Sequence, residues 1–149
     1  FMLALALFAL SAPEPNSGHC HMIANHTTAC CAHIENTHFP KFNDHVCLNA
    51  TAFISPDHSL ANSSIGLSLT WNYKEVAEKI YSLAKVGKAC TTLPIPGVPG
   101  LQACAEFNDL ALNTTKLHAC ADIEIDIVHK HLLTAKLGCF DIPTSKPPA

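Results

Sequence analysis

The residues with the most chemistry to offer are eight cysteines: Cys20, Cys30, Cys31, Cys47, Cys90, Cys104, Cys120 and Cys139. An even count in a 149-residue chain reads as a disulfide framework rather than as catalytic thiols. Four bonds allow about 105 connectivities, and spacing does not choose among them. Adjacent cysteines rarely bond each other, so Cys30 and Cys31 are expected to reach different partners. Cys104 and Cys120 fall on the same side of two alternating segments, which makes them candidate cross-strand partners.

Histidines and carboxylates offer metal chemistry. His19-Cys20-His21, with His26 and His33 near, groups borderline ligands, and His129 and His131 would share a strand face. No spacing of the structural-zinc kind accompanies them, and Cys20 is needed to keep the cysteine number even. Asp122, Glu124 and Asp126 form an acidic ladder. Neighbours on one strand face stand about 7 Å apart, too far for one calcium to bridge all three. The ladder reads as the wet side of a sheet. No metal or other cofactor is expected. Nor is there a Gly-x-Ser-x-Gly elbow or another motif fixing a base beside a nucleophile. The chain is read as non-enzymatic, with no catalytic residues.

Strands must position these groups. From Leu117 to Ile127 the residues Leu117, Ala119, Ala121, Ile123, Ile125 and Ile127 alternate with polar ones, the pattern of a strand with one dry face. Leu101–Leu112 precedes it across an Asn113 turn, so Leu101–Val128 reads as a hairpin. Val46–Ile54, Ser64–Tyr73 and the region from Leu132 to Ile142 are further strands. Trp71, the only tryptophan, is expected to anchor the core. His19–His45 shows no clean period and reads mostly as loop, with one short strand near Ala32–Ile34. Val76, Ile80, Leu83 and Ala84, before Gly87, have helical spacing and predict a short helix over 75–86. The prolines in Cys90–Gly100 mark an extended edge. Five or six strands with short connections make an all-β antiparallel sandwich or flattened barrel.

The first residues, FMLALALFAL, followed by Ser11-Ala12, read as the remnant of a secretory signal peptide over 1–12. Residues 19–143 form a single disulfide-rich β domain and 144–149 a loose tail. Sequons at Asn25, Asn49, Asn62 and Asn113 agree with secretion and N-glycosylation. No run is long enough to span a membrane as a helix. All nine basic residues are lysines, which argues against nucleic acid, where arginine forks dominate.

The segments ACC at 29–31, CLNAT at 47–51, Cys-x3-Pro-x-Pro from Cys90, QACAEFNDL at 102–110, HACADIE at 118–124 and LGCF at 137–140 resemble a family of small secreted insect proteins known as a domain of unknown function (DUF4773-like). The resemblance spans roughly residues 19 to 143. It implies an extracellular β-rich fold with disulfides, and a strand rather than a helix at 75–86. It carries over no catalytic residue. Relatives tend to have a Cys-x-Cys near the start, where this chain has Cys20 alone.

Small residues on the inward faces, among them Ala50, Ala52, Ala103, Ala105, Ala119 and Ala121, either let two sheets pack closely or leave room for a ligand. The expected function is an extracellular binding module for a small apolar ligand, lined by Trp71, Ala105, Phe107, Ala121, Ile123 and Ile125. The alternative is a structural or protein-interaction component of a secretion or coat, with an extracellular protein as partner. A metal-dependent hydrolase stands third.

Overall fold

The computed structural model describes residues 17–37, 41–93, 95, 98–128 and 130–144. The signal segment and the end of the tail therefore lie outside the described residues, and no helix is found among those described. Nine strands follow one another: β1 Gly18–Ala24, β2 Thr27–Asn36, β3 Phe42–Phe53, β4 Ser64–Trp71, β5 Lys74–Ser82, β6 Lys88–Thr92, β7 Leu101–Leu112, β8 Lys116–Ile127 and β9 Lys130–Pro143. The first five make one antiparallel sheet in chain order and the last four make another. Each sheet is a meander, so every neighbour is joined by a short local connection.

The core lies between the sheets. Val46, Leu48, Ala50 and Ala52 of β3 and Ile65, Leu67, Leu69 and Trp71 of β4 face Leu101, Ala103 and Ala105 of β7 and Leu117, Ala119, Ala121, Ile123 and Ile125 of β8; all are buried. Period-2 alternation drives this arrangement, because each strand has one apolar side and apolar area gains about 25 cal/mol per Å² on leaving water. Trp71 anchors one end with the edge of Phe42 against it.

One side of the sandwich is closed. Ser17 makes a parallel bridge to Lys136, and Gly138 brings β9 against β1. A Cβ on Gly138 would stand 3.4 Å from the His19 Cα, and its φ of +121° suits glycine. On the opposite side β5 and β6 are edges, unpaired among the described residues.

Three expectations change. Most of the described part of His19–His45 is strand, not loop: β1, β2 and the start of β3 lie there. Cys30, Ala32 and Ile34 do alternate inward against Cys31, His33 and Glu35, but cysteine and histidine hide the period from a hydropathy reading. Over 75–86, where the spacing suggests a helix and the resemblance a strand, the strand is found: β5, followed by a turn. Leu69 pairs with Ala77 and Thr70 with Glu75, so Val76 is an extra residue in a bulge. That insertion shifts the alternation by one and produces the false helical spacing. The strand expected over Ser64–Tyr73 ends at Trp71, and Tyr73 lies beyond it. It sits with Asn72 in a tight turn, with φ of 68° and 51°, the pattern of a hairpin turn that matches strand twist, and it is exposed.

Candidate functional site

All eight cysteines are paired: Cys20–Cys30, Cys31–Cys47, Cys90–Cys104 and Cys120–Cys139. Each bond joins residues directly opposite on adjacent strands. Cys30 and Cys31 do reach different partners. Cys104 and Cys120 do not meet. The β7–β8 ladder sets Cys104 against Glu124 and Cys120 against Asn108. The turn at Asn113–Thr115 and the bulge at Asp109–Leu110 fix that register, four residues away from a bond between the two.

The six residues expected to line a ligand all face the space between the sheets or its margin. Trp71, Ala105, Ala121, Ile123 and Ile125 are buried, and Phe107 is half-buried with its edge toward Phe140. The sheets close over most of them. The inter-sheet cavity has a volume of about 40 Å³ and is lined by Leu48, Leu67, Leu69, Tyr81, Ala89 and Ala105. It opens between the free edges of β5 and β6.

The roomier cavity lies at one end of the sandwich and measures about 550 Å³. Three connections and the end of β9 build it: the β1–β2 turn supplies His26, the β3–β4 connection Ile54, Pro56 and His58, the β7–β8 turn Thr114, and the residue after β9 is Thr144. Backbone bonds tie this rim together. His26 accepts from the Ala52 amide at 2.9 Å and its Nδ1 donates to the Pro143 carbonyl at 3.1 Å. Thr144 bonds to the Thr115 carbonyl at 3.0 Å.

The β3–β4 connection is held by Asp57. Its carboxylate accepts from the Ser55 hydroxyl, from Asn62 Nδ2 at 2.9 Å and from the Ser59 amide at 3.1 Å. The Ser55 bond, then those from Asn62 and Ser59, hold the carboxyl well below its usual range. His58 occupies the left-handed region, φ 54°. No sequence signal pointed to His26, Ile54, Pro56, His58, Thr114 or Thr144 as a group, because they come together only through the topology.

The acidic ladder divides. Asp122 accepts from Asn108 at 3.0 Å. Glu124 meets Lys88, and His131 Nδ1 lies 2.9 Å from Glu124 and 3.5 Å from Asp126. The Lys88 ammonium holds Glu124 below its ordinary pKa, and Glu124 in turn raises that of Lys88. The Lys88 ammonium offsets one of these carboxylate charges, which weakens the group's pull on a cation. His129 lies outside the described residues. His19 and His21 stack loosely at 6.2 Å, and His33 is paired across the ladder with His45; none of these joins a third free ligand. Every three-residue His, Cys, Asp or Glu group close enough to hold an ion, among the described residues, includes a disulfide sulfur.

The sequons differ in geometry. Asn25 and Asn113 sit exposed in turns at the cavity end and Asn49 is half-buried on the outer face of β3. Asn113 Oδ1 accepts from the Thr115 amide and hydroxyl, both at 2.8 Å. Asn62 is exposed, but its Nδ2 is engaged by Asp57.

The model of a domain of unknown function, DUF4773, matches residues 19–145. The chain belongs to the DUF4773 family. The match covers every strand from β2 to β9 and nearly all of β1. No curated protein and no solved structure matches the chain. In this DUF4773 domain the four disulfides suit an oxidising compartment, and the family carries no assigned activity to the end cavity.

Proposed function

We propose that the chain is a secreted, N-glycosylated, non-enzymatic binding module that takes up a small apolar ligand in the cavity at the end of the sandwich. One observation carries this reading: about 550 Å³ of room at that end against about 40 Å³ between the sheets. Binding cavities for small molecules usually run to several hundred Å³, apolar with a few placed polar groups. Ala52, Ile54 and Pro56 supply the apolar wall; His26, His58, Thr114 and Thr144 supply polar atoms at the rim.

The test is titration of the secreted protein with a fluorescent fatty acid. Saturable one-site binding that Ile54→Trp abolishes is expected. Loss on Leu67→Trp, with Ile54→Trp unaffected, moves the ligand to the space between the sheets. No saturable binding at all overturns the reading.

A second reading, a protein-interaction component, draws on the outer face of the five-stranded sheet. Phe53 and Ile80 are exposed there and flank Gly66. Covalent or concentration-dependent oligomers in non-reducing gels and light scattering would favour it.

A further inference from the structure

One disulfide is set apart by its surroundings. On β8, His118 precedes Cys120 by two residues and shares its outward face; on β9, Asp141 and Cys139 stand opposite them. His118 Nδ1 lies 2.6 Å from Asp141 Oδ1, and His118 Nε2 lies 4.0 Å from the Cys120 sulfur. A carboxylate only accepts, so Nδ1 carries the proton and Nε2 is the nitrogen turned to sulfur. Carboxylate, imidazole and sulfur thus run in the order that activates thiols elsewhere. The Cys139 side is exposed, Cys120 is half-buried, and a cavity of about 220 Å³ lined by His21, Met22, His118, Cys139 and Asp141 lies beside the bond.

We propose that Cys120–Cys139 is a thiol–disulfide exchange site, in which His118, positioned by Asp141, stabilises Cys120 as the leaving thiolate when a low-molecular-weight thiol attacks Cys139. The attacking thiolate forms a new S–S bond to Cys139. The Cys120–Cys139 bond breaks, and its electron pair goes to Cys120 Sγ, where the His118 imidazolium pairs with it or gives up its Nε2 proton. A second thiolate attacking the mixed disulfide releases the oxidised small thiol and leaves Cys139 as thiolate. Two thiols have then become one disulfide, and one protein disulfide two thiols.

The other three bonds lack this set. Cys90–Cys104 has an exposed sulfur too, but its inner member, Cys104, lies within 4.8 Å of the carboxylates of Glu124 and Asp126. Negative charge there opposes a leaving thiolate. His45 approaches Cys47 at 3.8 Å, yet it is stacked on Tyr73, while neighbouring Asp44 serves Trp71 and Asn72 instead. Cys30 is buried. The charged groups around His118 are Lys116, 3.7 Å from Asp141, Asp122 further along β8, Lys136 opposite it on β9, and His21 across the cavity on β1.

The experiment treats the whole secreted protein with reduced glutathione, quenches with N-ethylmaleimide and maps the labelled cysteines by mass. Cys120 and Cys139 are expected to label about tenfold faster than Cys90 and Cys104, since exchange follows the leaving thiol. Divided by the glutathione thiolate concentration, the wild-type rate at Cys120–Cys139 exceeds that of His118→Gln several-fold, with Asp141→Asn between them, while the rate at Cys90–Cys104 is the same in all three. Equal labelling of the four bonds, or equal normalised rates in wild type and His118→Gln, overturns the proposal. The labelling order in wild type decides the matter even where a variant fails to fold.

Discussion

The indole Nε1 of Trp71 donates to the Asp44 carboxylate at 3.0 Å, and the other oxygen of that carboxylate accepts from Asn72 Nδ2 at 2.8 Å. One side chain on β3 therefore satisfies the core tryptophan and also holds the turn that follows it. The Asp44→Ala variant leaves a nearly buried indole N–H without its acceptor. A loss of about 1.5–3 kcal/mol is expected, the range for hydrogen bonds to charged groups. Urea unfolding followed by Trp71 fluorescence measures it. An unchanged midpoint would mean that water replaces Asp44 without cost.

Gly138 makes the second prediction. Its φ of +121° strains any other residue, and an added Cβ meets β1 at His19 and Cys20. Gly138→Ala is expected to cost about 1–3 kcal/mol. Faster hydrogen exchange should appear in Gly18–Ala24 before it appears in β7. Uniform loosening of both sheets would place the strain elsewhere.

Removing one staple cleanly is the third. The Cys31–Cys47 bond spans a separation of 16 residues, for which loop closure in the unfolded chain corresponds to about 3 kcal/mol. The double variant Cys31→Ala, Cys47→Ala should lose about that much in a denaturation curve, while β7–β8 keeps its exchange protection. Single replacements are less informative, since each frees a reactive thiol.

Acid should weaken the protein partly through Glu124. Its folded-state pKa lies below the ordinary 4.5, chiefly through Lys88. Below that ordinary value the unfolded chain takes up the proton more readily, so stability is full above it and falls as pH drops toward the folded pKa. Urea midpoints between pH 6 and pH 3 should fall more steeply in wild type than in Glu124→Gln. Parallel curves would show that solvent screens the pair completely.

Glycosylation offers a test of the secretory route. Asn113 presents an exposed side chain whose oxygen is already held by Thr115, leaving the nitrogen outward. Protein from secreting cells should lose mass on treatment with a glycosidase that cleaves N-linked sugars. Asn113→Gln should reduce that loss by one glycan, and identical losses would count against this site.

The hairpin Leu101–Val128 was legible because its inner face alternates without interruption from Leu117 to Ile127. The divergence of Cys30 and Cys31 followed from peptide geometry alone. Where a bulge inserts a residue, as at Val76, period-2 logic fails and a helix is suggested in its place. Cross-strand partners depend on register, and the bulge at Asp109–Leu110 shifts it silently. The end cavity was the least visible. Its walls come from residues as far apart as His26 and Thr144, and no local pattern records that three connections and the end of β9 meet at the same place.

The disulfide connectivity has a consequence for how the chain matures. The bonds enclose separations of only 10, 16, 14 and 19 residues, and no loop contains or crosses another. In a chain that enters an oxidising lumen N-terminal side first, Cys20 is the one cysteine of this sequence ahead of Cys30. Cys31 then waits for Cys47, Cys90 for Cys104 and Cys120 for Cys139. Pairing in order of arrival produces the native set without later reshuffling. The same chain refolded whole from a reduced state, with all eight thiols present together, loses that schedule and should depend on an isomerase.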